Sequence, residues 1–416
     1  MNVLILYEYR LASANYNIAN NIVEEFKCRG INVFIGYIIK DELNDDIKYI
    51  NNERFVINDI KSYLYISKKY DNSWNKKRKI NKLLYFLIHP KSFFSYFFYR
   101  IDERNGYKDG KKRIEKLCVD LKMDYIIGFS APHSIERLID NLNVSIPVSI
   151  FRLDPYAFNP CLPSSEFNKR IGFERDLLSR IHRLYTNKLI IKDLLTDNYL
   201  CEYSSKMISV EFPLITEKDD IKDYSRIEKH IFDKSLDSVY LLHAGTFYDD
   251  IRNPKLLVDF MKLLPEKYVL LVAGLNSADI RKYDSDIRHR IIDLGCLNRS
   301  EIDSVINDCD FLISFNNKNT NMIPSKLFEC INSRKPFINI CHSDNCPTIE
   351  YVDGYDLAFS VVISHPFPQN ELISFMEKNK DKKSSRDQIL NRYEKCTVKY
   401  VAKQIINEMD SFASKR

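Results

Sequence analysis

The stretch from Pro324 to Glu329 combines a helix start with one cation and one carboxylate. Pro324 fits the first turn of a helix, because proline fixes φ and lacks only a backbone donor that is unpaired there anyway. Ser325 and Lys326 therefore lie at the helix start, where free backbone N–H groups, the helix dipole and the lysine charge favour phosphate. Glu329 follows one turn later and could accept hydrogen bonds from the hydroxyls of a ribose or another sugar. The stretch predicts a combined phosphate and hydroxyl site, although an ordinary amphipathic helix with an exposed lysine fits the same residues.

Two apolar runs flank this stretch and must position it. Phe311 to Phe315, and the residues that end at Ile340, have the composition of short buried strands. A strand, a helix and a second strand in this order are typical of a parallel sheet with crossover helices. In such sheets ligands bind outside the carboxyl ends of the strands, which is where this helix would begin.

The segment PSKLFECINSRKPFI, which starts at Pro324, resembles the P-x-K-x-x-E-x-x-x-x-x-K-P-x-I segment of GT-B glycosyltransferases, in particular retaining family 4 (glycosyltransferase group 1). The resemblance implies that Lys326 and Glu329 face the diphosphate and the ribose or sugar of a nucleotide-sugar donor, with Ser325 beside them. Two positions depart from the family pattern. Asn321 stands where many members carry an acidic residue, and Ser333-Arg334 replaces the usual glycine before Lys-Pro.

Arg252 is the second candidate for phosphate binding. It follows the predicted strand Val239 to His243 and precedes Asn253-Pro254, which opens a helix. A guanidinium suits phosphate because it offers several donors in a planar fork and stays charged at any working pH. In the resembling enzymes a basic residue at this place lies close to the donor pyrophosphate. The alternative is an arginine that caps the helix or forms a local salt bridge.

His133 and Asp154 are the candidates in the N-terminal half. His133 lies in GFSAPHS and Asp154 in FRLDPY, after the predicted strands Tyr125 to Phe129 and Val148 to Phe151. Asp154 could orient an acceptor hydroxyl or help remove its proton, and His133 could do the same or hydrogen-bond a donor sugar oxygen. FRLDPY resembles the R-x-D-P segment of GT-B transferases in bacterial surface-polysaccharide pathways. The alternatives are a turn at Asp-Pro and a loop histidine with no catalytic role.

The order of predicted elements gives the domain organisation. At 416 residues the chain suits two domains of about 200 residues each. A β-α-β series begins at Val3 and a second one at Val239, so we predict an α/β, GT-B architecture of two doubly wound Rossmann-like domains that face a central cleft. The predicted parts are an acceptor-binding domain over 1–215, a junction over 216–236, a nucleotide-sugar-binding domain over 237–384, and a C-terminal helix over 385–416. The resemblance implies that this helix, predicted from Ser385 to Met409, crosses back to the N-terminal domain.

Composition excludes several other classes. The chain has only 10 glycines, and neither G-x-G-x-x-G nor G-x-x-x-x-G-K-[ST] occurs, which disfavours dinucleotide dehydrogenases and P-loop ATPases. A net charge of +5 is too small to indicate nucleic acid as a partner. The 10 cysteines include no C-x-x-C pair, so reduced thiols and a cytoplasmic location are expected. Cys341, His342 and Cys346 form the nearest metal-like cluster, but structural zinc needs four ligands.

We therefore expect no metal and no other cofactor. The D-x-D triplet Asp284 to Asp286 lies in a polar segment rather than at a strand end. In place of a metal ion, Arg252 and Lys326 would neutralise the charge that develops on the leaving diphosphate.

The segment Lys76 to Arg100 is the most biased part of the chain, with basic residues beside bulky apolar and aromatic ones. That composition is typical of a segment that lies on an anionic membrane surface without spanning it. A helical hairpin that packs in the core and begins with charged residues fits this segment equally well. No run of 18 apolar residues occurs, and the N-terminus is unlike a secretory signal, so we expect a cytoplasmic protein that is peripheral on the inner face of the plasma membrane or wholly soluble.

Together these features predict a glycosyltransferase that moves a sugar from a nucleotide-sugar to a glycan or lipid-linked acceptor, in lipopolysaccharide, capsule or related surface-polysaccharide synthesis. The resemblance implies retention of the anomeric configuration. Two alternatives stay open: a non-catalytic GT-B-like protein that binds a nucleotide or glycan, and an epimerase that acts on the nucleotide-sugar itself.

Overall fold

The computed structural model describes residues 1–8, 14–39, 54–59, 106–130, 133–140, 142–159, 162–217, 237–248, 251–318 and 321–414. The chain divides into two compact units. The first comprises Met1–Glu211 with Ala402–Arg416, and the second comprises Phe212–Val401. The segment Lys76 to Arg100 and most of the predicted junction lie outside the described residues.

Seven described strands of the first unit form one parallel sheet in the order β3-β2-β1-β4-β5-β6-β7. Its strands are β1 (Asn2–Glu8), β2 (Asn32–Ile39), β3 (Arg54–Asp59), β4 (Tyr125–Ser130), β5 (Val148–Arg152), β6 (Arg183–Thr186) and β7 (Met207–Ser209). The connecting helices are α1 (Ala14–Cys28), α2 (106–120), α3 (Ser134–Ile139), α4 (Phe167–Arg180) and α5 (Lys188–Leu195).

The apolar spacing of the sequence explains how these elements pack. In α1 the residues Ile18, Ile22 and Phe26 repeat at helical spacing, and all three are buried. In β4, Gly128 lets α3 lie directly on the strand, because a Cβ atom there would come within 2.2 Å of Ile139 Cδ1. This close approach fixes the start of α3, which follows His133, against the end of β4.

Six described strands of the second unit form another parallel sheet in the order β10-β9-β8-β11-β12-β13. They are β8 (Val239–Ala244), β9 (Tyr268–Ala273), β10 (Ile291–Gly295), β11 (Phe311–Phe315), β12 (Phe337–Cys341) and β13 (Ala358–Val362). The helices are α6 (Pro254–Lys262), α7 (Arg299–Asp308), α8 (Lys326–Ser333), α9 (Thr348–Val352), α10 (Gln369–Asn379), α11 (Arg386–Arg392) and α12 (Val398–Ala413). Helix α12 begins in the second unit, and from Ala402 onward it belongs to the first.

The predicted continuous helix from Ser385 to Met409 is wrong. Helix α11 ends at Arg392, a 3₁₀ turn follows over Glu394–Cys396, and α12 starts at Val398. Thr397 breaks the helix because it is extended, with φ −78° and ψ 146°, and pairs with Ile215 in a parallel bridge. Its hydroxyl donates to the Glu394 carbonyl at 2.6 Å and accepts from the backbone N–H of Tyr400 at 3.2 Å, so it also caps α12.

In each sheet the strand order reverses at one place. The reversal lies between β1 and β4 in the first unit and between β8 and β11 in the second. Ligands of open α/β sheets bind at such switch points, outside the carboxyl ends of the strands. The residues that follow these four strands are therefore the place to look for a site. In the described part of the chain, no helix has the length and apolar character needed to cross a membrane.

Candidate functional site

The start of α8 lies next to the switch point of the second unit. Pro324 is buried and its carbonyl accepts from the backbone N–H of Leu327 at 3.2 Å, so the first turn forms at the proline. Ser325 is helical and its side chain caps nothing, so no local hydroxyl competes for the N–H groups of this turn. Leu327, Phe328 and Ile331 face the core and fix the helix on the sheet.

Lys326 and Glu329 form a half-buried ion pair in the first turn of α8. The Lys326 Nζ lies 2.8 Å from Glu329 Oε2, and Arg299 NH1 lies 3.7 Å from the same oxygen. Burial acts to raise the pKa of Glu329, but the charges of Lys326 and Arg299 outweigh it and hold the pKa below its usual range. The carboxylate therefore stays ionised and can accept hydrogen bonds from a ligand.

Arg252 is a largely desolvated cation at the other side of the switch point. It forms no ion pair with a carboxylate of the described residues, and its buried Nε has no hydrogen-bond partner there. Its guanidinium lies 5.4 Å from the centroid of the Tyr248 ring, and the two residues pair through their backbones. Burial lowers the pKa of Arg252. A desolvated guanidinium without a carboxylate partner is a strong site for an anion.

His243 lies beside Arg252 and is neutral. The ring is 1% exposed, and Nδ1 lies 3.3 Å from the carbonyl oxygen of Ile313, which can only accept. Burial, together with the charges of Arg252 and Lys326, lowers the pKa of His243 to about 3. Nδ1 thus carries the hydrogen, and Nε2, which has no partner among the described residues, is left as an acceptor.

Two glycines bring the backbone close to these side chains. A Cβ atom at Gly245 would lie 3.0 Å from His243 Nε2 and 3.7 Å from Arg252 NH1. At Gly274, φ is +137° and a Cβ would lie 2.5 Å from the Gly245 carbonyl oxygen. Only glycine fits at Gly274. The ends of β8 and β9 therefore approach closely, with Arg252 beside them.

Further unpaired acceptors follow β11. Asn316 is 1% exposed and donates through its amide to Asn339 Oδ1 at 2.7 Å, while its own Oδ1 has no partner among the described residues. The Oδ1 of Asn317 is also buried without a partner there. Acceptors of this kind suit the hydroxyl groups of a sugar.

The first unit has its own polar group at the carboxyl ends of β1, β4 and β5. The imidazole of His133 packs on the Tyr156 ring with the centroids 4.4 Å apart. Burial raises the pKa of Asp154, opposed by the charges of His133 and Arg152 and by a hydrogen bond from Asn15. The structure thus brings His133 and Asp154 together within this unit.

With this geometry in place, the chain can be compared with known proteins. No protein-family model and no curated protein sequence matches it. Solved structures do match: a glycosyltransferase from Rickettsia africae has a TM-score of 0.64 at 10% identity, covering 100% of this chain and 99% of that one. HepE from Anabaena in complex with UDP has a TM-score of 0.59 at 10% identity, covering 99% and 100%. A UDP-GlcNAc 2-epimerase from Methanocaldococcus jannaschii has a TM-score of 0.53 at 12% identity, also covering 99% and 100%. The chain has the GT-B fold.

The candidate residues of this GT-B chain fall into two sets. Arg252, Ser325, Lys326 and Glu329 belong to the second unit, and the charges of both Arg252 and Lys326 lower the pKa of His243. His133 and Asp154 belong to the first unit. The finer assignment to retaining family 4 stays a prediction.

Sequence reasoning missed His243, Arg299 and Asn316. His243 is the one polar, ionisable residue near the carboxyl end of an otherwise apolar strand, and a polar side chain at that position was an available signal. Asn316 directly follows β11 and carried the same signal. Arg299 carried no such signal in the sequence, because its approach to Glu329 depends on how α7 and α8 pack.

Proposed function

We propose that this GT-B chain is a glycosyltransferase that binds a nucleotide-sugar in its second unit. The observation that carries the proposal is Arg252, a desolvated cation without a carboxylate partner among the described residues, next to the neutral His243 and the close-packed glycines. Lys326 adds a second cation at a helix start. A diphosphate would satisfy both cations.

The proposed reaction transfers the sugar to a glycan or lipid-linked acceptor and releases a nucleoside diphosphate. Arg252 and Lys326 would stabilise the charge that builds on the diphosphate as the sugar bond breaks. Glu329 and buried acceptors without a partner among the described residues, such as Asn316 Oδ1, would accept hydrogen bonds from ribose or sugar hydroxyls. On the resemblance to family 4, transfer retains the anomeric configuration.

We further propose that the transfer needs no metal ion. The two aspartates of the D-x-D triplet have different surroundings: Asp284 is buried, at 2% exposed, and Asp286 forms an ion pair with Lys262 at 2.9 Å. Within the described residues no three His, Cys, Asp or Glu side chains are grouped so that they could hold a metal ion.

In the first unit, Asp154 and His133 would act on the acceptor hydroxyl or on a donor sugar oxygen. Burial raises the pKa of Asp154, and a carboxylate with a raised pKa is a better proton acceptor than an ordinary one. We place the reaction on the cytoplasmic side of the membrane, in surface-polysaccharide synthesis, with the Lys76 to Arg100 segment as the membrane contact.

Two other functions stay open for this chain. A UDP-GlcNAc 2-epimerase is among the similar structures, and Asn321 replaces the acidic residue that many family members carry, which would suit a non-catalytic binding protein. The test is incubation with labelled nucleotide-sugars, with and without lipid-linked acceptors. Label in the acceptor supports the transferase, an altered sugar on the nucleotide supports the epimerase, and binding without conversion supports the non-catalytic protein.

A further inference from the structure

One guanidinium and two carboxylates of the first unit are fully buried and bonded to each other. Arg152 donates through NH1 to Glu136 Oε1 and through NH2 to Glu174 Oε2, each at 2.9 Å. The exposed fractions of the three side chains are 0%, 0% and 1%. Glu174 also accepts from the backbone N–H of Ala157 at 3.4 Å.

Glu136 uses its second oxygen for His133. His133 Nδ1 lies 3.0 Å from Glu136 Oε2, and the two residues lie three positions apart at the start of α3. Burial acts to raise the pKa of Glu136, but Arg152, His133 and a hydrogen bond from Ser130 outweigh it and lower the pKa to about 2. Glu136 is therefore an anion at any working pH, and an ionised carboxylate can only accept hydrogen bonds. Nδ1 of His133 must be the donor.

Two aromatic rings restrict the orientation of the His133 imidazole. The Tyr156 ring packs on the imidazole, and Tyr156 is in turn held edge-on by Phe173 with centroids 5.3 Å apart. The His133 side chain keeps 20% of its surface exposed. With Nδ1 bonded to Glu136, the nitrogen that remains for a ligand is Nε2.

We propose that Glu136 is a positioning residue that holds His133 in the Nδ1–H tautomer, so that Nε2 accepts a hydrogen bond from a hydroxyl group of the sugar substrate. Arg152 keeps Glu136 ionised and in place. The identity of the ligand as a sugar rests on the proposed function, whereas the tautomer rests on the geometry of this unit alone.

The two carboxylates bonded to Arg152 differ in their surroundings. Both are fully buried, but burial raises the pKa of Glu174, whereas the charges of Arg152 and His133 lower that of Glu136. A buried carboxylate is costly unless additional donors satisfy it. Glu174 takes a backbone N–H as its additional donor, whereas Glu136 takes His133, whose ring faces the site.

A double-mutant cycle tests the proposal. Glu136→Gln should lower kcat/KM about 10- to 150-fold, the range for losing one hydrogen bond to a charged group, and His133→Ala should lower it by at least as much. In the His133→Ala background, Glu136→Gln should cause no further loss, because its effect passes through His133. Losses that multiply in the double variant would overturn the proposal.

Glu174→Gln is the matched control, because it removes the other buried carboxylate from the same guanidinium, and Glu174 forms no hydrogen bond with His133 in the described part of the chain. Glu136→Gln and Glu174→Gln should lower the melting temperature by similar amounts. Glu136→Gln should lower kcat/KM much more than Glu174→Gln does, and Glu136→Asp should retain part of the activity that Glu136→Gln loses. Equal losses of activity in the two Gln variants would mean that the group is structural.

An NMR experiment on the wild-type protein separates this inference from the proposed function. With ¹⁵N-labelled histidine, and with His133→Ala used to assign the signal, Nδ1 of His133 should show the shift of a nitrogen that carries hydrogen and Nε2 that of one that does not. The opposite pattern at pH 8 would overturn the proposal even if the protein transfers sugar. The expected pattern without any transferase activity would support the tautomer and refute the proposed function.

Discussion

Lys326 donates to the carboxylate of Glu329 across one helical turn, with Nζ and Oε2 2.8 Å apart. The resemblance assigns these two residues to different parts of a nucleotide-sugar, and here they bind each other. Arg299 lies 3.7 Å from the same carboxylate oxygen and also pairs with Asp303 at 2.8 Å. A diphosphate that attracts Lys326 would therefore leave Glu329 next to Arg299 and open to a hydroxyl group. On this account, donor binding replaces one ion pair by two ligand contacts.

Lys326→Ala should reduce transfer and weaken the binding of a nucleoside diphosphate about 10- to 150-fold, because it removes a charge-assisted contact to phosphate. Lys262→Ala is the control, since Lys262 lies in the same unit and forms an exposed ion pair with Asp286. The control should keep its affinity. Wild-type kinetics for Lys326→Ala would remove Lys326 from the site.

Glu329→Gln should weaken nucleotide-sugar binding in calorimetry. A site that hydrogen-bonds a ligand hydroxyl loses much affinity when that hydrogen bond cannot form, because the buried groups are then left unpaired. Glu377→Gln, which removes an exposed carboxylate paired with Lys267, serves as the control and should bind normally. Unchanged affinity in Glu329→Gln would make Glu329 an ordinary surface residue of α8.

His243 should make folding stability depend on pH. Its pKa falls from the ordinary 6.5 to about 3 in the folded protein, so below pH 6.5 the unfolded chain binds a proton that the folded one does not. Stability from this group is complete above pH 6.5 and is lost as pH falls towards 3. Between pH 7 and pH 5 the loss is about 2 kcal/mol.

His243→Gln lacks the titrating group while keeping an amide that can donate to the Ile313 carbonyl. Urea unfolding at pH 7 and pH 5 should show a smaller decrease in the free energy of unfolding for this variant than for the wild type. Parallel decreases in both proteins would show that folding does not lower the pKa of His243, which would contradict a buried imidazole that stays neutral at pH 5.

Local sequence signals predicted the strands and the fold class. Phe311–Phe315 was predicted with the bounds it has, because a short apolar run between polar breakers leaves few alternatives. The break at Thr397 could not be predicted, because it depends on pairing with Ile215, which is distant in sequence. The same holds for Glu136, whose partners Arg152 and Glu174 come from other elements. Sequence periodicity identifies elements, whereas buried polar groups depend on tertiary contacts.

The Lys76 to Arg100 segment lies outside the described residues, and its membrane contact stays a prediction. If the segment binds anionic headgroups, flotation with anionic vesicles should recover the protein at low salt, and recovery should fall as salt rises, since the Debye length is about 8 Å at physiological ionic strength. Neutralising Lys76 to Lys79 should reduce vesicle binding and spare activity on a soluble acceptor. An absence of vesicle binding at low salt, or unfolding of the neutralised variant, would favour a core hairpin.

Calorimetric titration of the wild-type protein, Arg252→Ala and Lys262→Ala with a panel of nucleoside diphosphates tests the central claim most directly. The account predicts that at least one nucleotide binds the wild type and the Lys262→Ala control equally. It also predicts that Arg252→Ala binds the same nucleotide about 10- to 150-fold more weakly, because the diphosphate loses its charge-assisted hydrogen bonds to the guanidinium. Equal affinity in the wild type and Arg252→Ala, or no binding of any nucleotide to the wild type, would contradict it.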